Sequence, residues 1–129
     1  MTLVPWLRGR SLVWDFACVD TFATSNLPQT SQNASAAAEK AERAKIAKYT
    51  EIPTYVIFQP VVIETLGPWS ASSLEFIREL GQRLALHSGE QRSTSYLIQR
   101  LSMVIQRGNA ASILGTLPVQ KKLSEIFYF

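Results

Sequence analysis

Cysteine and histidine are almost missing from this chain of 129 residues, where Cys18 and His87 stand alone. One cysteine cannot close an intrachain disulfide and cannot build a cysteine-based zinc site, which favours a reducing compartment. No apolar run approaches the ~20 residues that a membrane-spanning helix needs. The opening residues reach Arg8 and Arg10 after only a short apolar start, so the long apolar stretch of a secretory signal is absent. No phosphate-binding Walker loop, dinucleotide glycine pattern, nucleophile elbow or zinc spacing occurs, and no internal repeat. Acid is missing locally as well. Between Gln91 and Lys122 every charge is basic, namely Arg92, Arg100, Arg107, Lys121 and Lys122. That is a modest basic patch, open to two readings: phosphate contacts or a solvated helix face. The overall net charge is only +3, so no polyelectrolyte tail is implied.

What remains is an ordinary globular balance, 47% hydrophobic and 18% charged, in one domain's length. The patterning predicts an α/β layer fold with element order β-β-α-β-α-α. Residues 2–6 read as a short strand. Gly9 then permits a tight turn, and residues 12–19 form a nearly continuous apolar strand covered on both faces. Residues 25–35 are a polar loop. Residues 36–49 are an alanine-rich helix supported by Glu39 and Arg43 at i,i+4. Residues 55–64 are a third strand, in which Pro60 demands a bulge or an edge. Ser70 is placed to cap a helix running to about His87, with Trp69 and Leu74 as a hydrophobic staple. Its core stripe is Leu74, Ile77, Leu80 and Leu84. A second helix, residues 93–107, carries the apolar stripe Leu97, Leu101, Val104 and Ile105 and ends at Gly108-Asn109. Residues 1–117 are assigned to one domain and 118–129 to a tail, of which 119–129 read as one more short amphipathic helix.

Asp15 is the most informative residue. It stands in the middle of Leu12-Val13-Trp14-Asp15-Phe16-Ala17-Cys18-Val19. A buried carboxylate without a partner costs several kcal/mol or shifts its pKa, so such a group is paired, hydrogen-bonded or metal-bound. Either Asp15 binds a ligand or it sits at an open edge and bonds a backbone amide. Ala38, Ala41, Lys45 and Lys48 share one face of the first helix, the alanines allowing close approach to a sheet. Lys45 and Lys48 then either serve a phosphate-handling site or are solvated charges favoured by the helix C-terminus. Glu64 is a further carboxylate or simply a strand terminus. Asp20 reads as a turn or helix-capping residue, His87 as a helix-terminal polar residue and Cys18 as a small core residue.

Val13-Trp14-Asp15-Phe16, Lys45-Ile46-Ala47-Lys48-Tyr49 and the run from Val61 through Glu64 to Trp69, with Gln106-Arg107-Gly108-Asn109-Ala110-Ala111-Ser112, resemble the region after the reverse transcriptase in invertebrate non-LTR retrotransposon polyproteins. The likeness covers roughly residues 2–117. It implies an incomplete restriction-endonuclease-like core of the PD-(D/E)XK class, which cuts DNA with Mg²⁺. On that likeness Asp15 is the second metal-binding acid, Lys45 the lysine displaced onto the helix, and Tyr49 its companion. The family's first acid, in a Pro-Asp pair before the first strand, has no counterpart here. The resemblance therefore implies a fragment of a longer frame, inactive alone, with Mg²⁺ belonging to the parent domain. The alternative is a non-catalytic module binding DNA or RNA through Lys48, Arg92, Arg100 and Arg107. Either way the expected setting is the nucleus or cytoplasm, without membrane or disulfide partner.

Overall fold

A computed structural model describes residues 1–116. The expected tail, 118–129, lies outside the described residues. The elements are β1 (Ser11–Val19), α1 (Leu27–Thr30), α2 (Ala36–Lys48), β2 (Val56–Glu64), α3 (Ala71–Ser88) and α4 (Ser93–Gly115). This is a mixed α/β fold. β1 and β2 pair in parallel, with Ser11 opposite Val56, Asp15 opposite Pro60 and Val19 opposite Glu64. Parallel neighbours require a crossover, and α2 supplies it. Side chains alternate across a strand. Asp15 thus faces α2, where Lys45 meets it, while Leu12, Trp14 and Phe16 face α3 and α4. The result is three layers, with α2 on one face of the sheet and the α3–α4 pair on the other.

The expected hairpin at the start forms only its turn. Arg8 (φ 48°) and Gly9 (φ 75°) take the two left-handed positions that a two-residue hairpin turn requires, and Leu7 bridges Arg10 antiparallel. Residues 2–6 do not become a strand. Pro5 has no N–H to contribute to a ladder. The segment is instead tied at its ends. Thr2 N–H donates to Leu12 O (2.8 Å) and Leu12 N–H to Thr2 Oγ1 (2.9 Å). The Trp6 ring lies under the Arg83 guanidinium, 3.7 Å from its carbon, and 5.7 Å from the Phe76 ring. The described sheet therefore has two strands rather than three.

β2, not β1, is the core strand. Its residues from Pro60 to Glu64 are all buried, whereas Trp14 and Phe16 of β1 are each 50% exposed. Pro60 sits on an edge without a bulge, since the pairing register runs unbroken through it. Alternation of the parallel ladder turns its nitrogen away from β1, so no ladder bond is lost. The start of α3 covers that edge. Ser70 N–H donates to Val62 O (3.1 Å), and Val62 N–H donates to Ser73 Oγ (2.8 Å).

The helices depart from expectation where tertiary partners intervene. Residues 27–30 of the expected loop form one helical turn, with Pro28 in its first positions. Glu39 does not pair with Arg43; its Oε1 accepts from Ala71 N–H at 2.7 Å. Ser70 makes no side-chain cap on α3, because its hydroxyl is spent on Ser73 Oγ. Glu39 supplies the acceptor at that helix start instead. Leu84 is 43% and Val104 is 54% exposed, while Ile77, Ile105 and Gly81 are buried. Gly81 marks the α3–α4 crossing, since a Cβ there would lie 2.6 Å from Thr94 Cα. α4 does not stop at Gly108-Asn109 but continues to Gly115. Asn109 donates to Thr65 O (2.6 Å), so it anchors the helix to the end of β2 rather than terminating it. Among the described residues no helix is long and apolar enough to cross a membrane.

Candidate functional site

The parallel β1–α2–β2 unit brings Asp15, Lys45, Lys48 and Tyr49 to one place. Asp15 projects from the middle of β1, and α2 crosses that face with alanine packed closest. Ala37 and Ala38 are 2% and 0% exposed. With no larger side chain between helix and sheet, the last turns of α2 carry Lys45 onto Asp15. Lys45 Nζ lies 2.5 Å from Asp15 Oδ2. Tyr49 follows as the C-terminal cap of α2, its ring 4.8 Å from that of Phe58 on β2. Lys48 Nζ stands 5.2 Å from the centre of the Tyr49 ring.

Asp15 is not the buried, unpaired carboxylate that a fully covered strand would have produced. Its side chain keeps 33% of its exposure and that of Lys45 18%. The cause is that β1 lies on the edge of a two-stranded sheet. The hydrogen bond from Lys45 holds the Asp15 carboxyl below the usual carboxylate range. Partial desolvation opposes this, and the Lys45 charge, the Tyr49 hydroxyl and the Lys48 charge add to it. The cluster is thus an ionised acid gripped by an ammonium, with a second, exposed cation alongside.

Glu64 belongs elsewhere. Its partner position on β1 is Val19, four residues beyond Asp15, or roughly 13 Å along a strand. It is 1% exposed and both oxygens are engaged. Oε1 accepts from Ala37 N–H (3.0 Å) and Ala38 N–H (3.3 Å), and Oε2 from the Thr21 hydroxyl (3.0 Å). The strand-end acid caps the crossover helix. It replaces Ser35, whose backbone is left-handed (φ 66°) and whose side chain makes no cap bond. Asp20 is the turn residue expected of it, accepting from Phe22 N–H at 2.9 Å. Cys18 is exposed rather than in the core. Partial burial of the thiol, and then the Asp20 carboxylate, push its pKa up.

Mg²⁺ needs near-octahedral oxygen coordination, with waters completing what one or two carboxylates begin. Among the described residues no three metal-capable side chains gather. Asp15 is committed to Lys45 and Glu64 to α2. The donor set therefore does not fit a catalytic Mg²⁺ on these residues alone.

The arginines expected to contact nucleic acid form a separate feature. On α4, residues 92, 96, 100, 103 and 107 fall within one stripe. Arg92 lies over the Tyr96 ring, 5.5 Å from its centre, and Arg100 and Arg107 flank a shallow depression with Tyr96 and Met103. This stripe and Lys48 lie on opposite sides of the sheet, so the four basic residues do not make one surface. Sequence reading missed Tyr96, although its i+4 spacing from Arg92 was a usable signal. It also missed Glu42, which is 9% exposed. The Glu42 Oε1 accepts from the Ser72 hydroxyl at 2.6 Å, and its Oε2 has no partner among the described residues.

Compared with known protein families, curated proteins and solved structures, the chain matches none.

Proposed function

We propose that the Asp15–Lys45–Tyr49 cluster is one half of a phosphodiester-handling site. It would belong to a restriction-like nuclease domain of a retrotransposon polyprotein and be inactive on its own residues. The observation that carries this reading is a mid-strand acid and a lysine from the crossover helix of a parallel β-α-β unit meeting at hydrogen-bond distance. Asp15 holds the Lys45 ammonium in place, and Lys48 adds a second positive charge. Such a pair stabilises the charge that develops on a phosphate under attack. A metal, if it binds, needs a second acidic donor from outside the described residues. The setting that follows is nuclear or cytoplasmic.

The test is cleavage by a longer protein that includes whatever coding sequence precedes Met1 in frame. Supercoiled DNA should be nicked only with Mg²⁺ or Mn²⁺, and Asp15→Asn should abolish nicking while leaving the fold intact. Nicking that is unchanged by Asp15→Asn, or a longer protein that never cuts, removes the nuclease reading.

The α4 stripe favours a second reading, a non-catalytic DNA- or RNA-binding module. An arginine over an aromatic ring, followed by two more arginines on the same exposed helix face, suits phosphate contact and base stacking. Steeply salt-dependent binding without cutting would support it.

A further inference from the structure

We infer that the exposed face of α4 takes single-stranded nucleic acid, with Tyr96 stacking on one unpaired base and Arg92, Arg100 and Arg107 holding phosphates. This rests on the reading of α4 as a nucleic-acid surface and narrows it to the unpaired form of the strand.

α4 carries no acidic residue anywhere between Ser93 and Gly115. At 3.6 residues per turn, Tyr96, Arg100, Met103 and Arg107 fall within about 60° of arc and roughly 16 Å of helix axis. All four are exposed. Among the described residues neither Arg100 nor Arg107 has an acid within ion-pair distance. Arg92 lies 3.6 Å from Glu90, and its guanidinium still sits over the Tyr96 ring, 5.5 Å from the centre. Beside the ring is a shallow depression of about 350 Å³ lined also by Gln99, Met103 and Val104. It extends the ring as an apolar bed, and the Gln99 amide can donate to or accept from a base edge.

Charge selects a polyanion as the occupant. Two copies of this face would set arginine against arginine, with no acid on α4 to meet it. A helix lying on a lipid surface keeps its cations on the side opposite its aromatic and aliphatic residues. Here Arg107 lies inside the arc, between Tyr96 and Arg100, so charge and ring share one face. The ring then selects the unpaired strand. In a duplex the bases stack on one another and present only their edges in the grooves. An unpaired base has a free π-face, which an aromatic side chain takes with little regard to sequence. The Arg92 guanidinium, a planar cation, already lies over the ring. A base can take its place there, and the guanidinium can turn to a phosphate of the same strand.

Fluorescence anisotropy with labelled oligonucleotides tests this on the full chain. An oligothymidine should bind at least about fivefold tighter than a phosphodiester chain of the same length without bases, and tighter than a duplex of that length at equal salt. Neither comparison needs a variant. Tyr96→Leu keeps apolar bulk on an exposed helix position and should weaken oligothymidine binding at least about fivefold, with the salt dependence unchanged because no charge is lost. Tyr96→Phe keeps the ring and should bind as the parent does. If the duplex or the base-free chain binds as tightly as oligothymidine, or Tyr96→Leu binds as the parent does, the single-strand assignment is overturned, while α4 remains a basic surface for phosphates. If no nucleic acid binds, the wider reading falls with it. Binding to vesicles containing phosphatidylglycerol but to no oligonucleotide would overturn the inference and assign the face to a lipid surface.

Discussion

Replacing Glu64 should damage this fold more than any other single acid. The carboxylate is 1% exposed and receives three hydrogen bonds, two from the first turn of α2 and one from Thr21. Truncation to alanine strands two helix N–H groups and the Thr21 hydroxyl in a site closed to water. Losing a buried, charged acceptor of this kind costs on the order of 3–5 kcal/mol. Glu64→Gln keeps an oxygen for Ala37 and Ala38, and the Thr21 hydroxyl can rotate to accept from the new amide. It gives up the negative charge at the helix start, about 1 kcal/mol and up to ~2 in a buried geometry. The loss in Glu64→Ala is a large share of the ~5–15 kcal/mol that holds a typical domain. Urea unfolding reads both variants. With a slope near 2 kcal/mol per molar, Glu64→Ala should lower the midpoint by about 1.5–2.5 M and Glu64→Gln by roughly a quarter to a half of that. A double-mutant cycle with Thr21→Ala should return a coupling of about 0.5–3 kcal/mol. If Glu64→Ala unfolds within ~0.5 kcal/mol of the parent, α2 is not capped from β2 and this account of the crossover is wrong.

Three further outcomes follow from the same geometry. Asp15 has a depressed pKa in the folded chain, so its stabilising effect is complete above the unfolded value near ~3.9 and is lost as the pH falls through the lower folded value. With the Asp15 side chain a third exposed, Asp15→Asn should cost only about 0.2–1 kcal/mol at pH 6 and nothing near pH 2, and a difference that grows on acidification would contradict the ion pair. Gly81→Ala must displace the Thr94 backbone; overpacking costs about 1–3 kcal/mol against ~1 kcal/mol gained in helix propensity, and a raised thermal midpoint would refute the close α3–α4 contact. If α4 contacts nucleic acid, Arg100→Ala and Arg107→Ala should each flatten the salt dependence of binding by about one unit, while Lys45→Ala leaves it nearly unchanged; equal effects at all three positions would place the contact elsewhere.

Local pattern was enough for much of this protein. The apolar runs of β1 and β2, the periodic stripes of α3 and α4, and Arg8-Gly9 as a turn are all readable because each depends on residues near one another in the chain. The spacing of Lys45 and Lys48 behind Ala38 and Ala41 was legible for the same reason, since helical geometry fixes which side chains share a face. That Asp15 would meet Lys45 was implied only by resemblance. The contact itself requires a parallel crossover that no local signal specifies. Ser70, Glu39 and Gly108-Asn109 carry convincing local signals for a cap, a helix pair and a helix end, and tertiary packing reassigns all three. Ser70 is drawn to Ser73, Glu39 to the start of α3, and Asn109 to Thr65. Glu64 looks like a strand end in the sequence and becomes the cap of a helix that begins 28 residues before it. Such roles rest on hydrogen bonds between groups distant in sequence. Composition and periodicity set which surfaces are apolar and which elements form. The pairing of those elements decides where each buried polar group finds its partner.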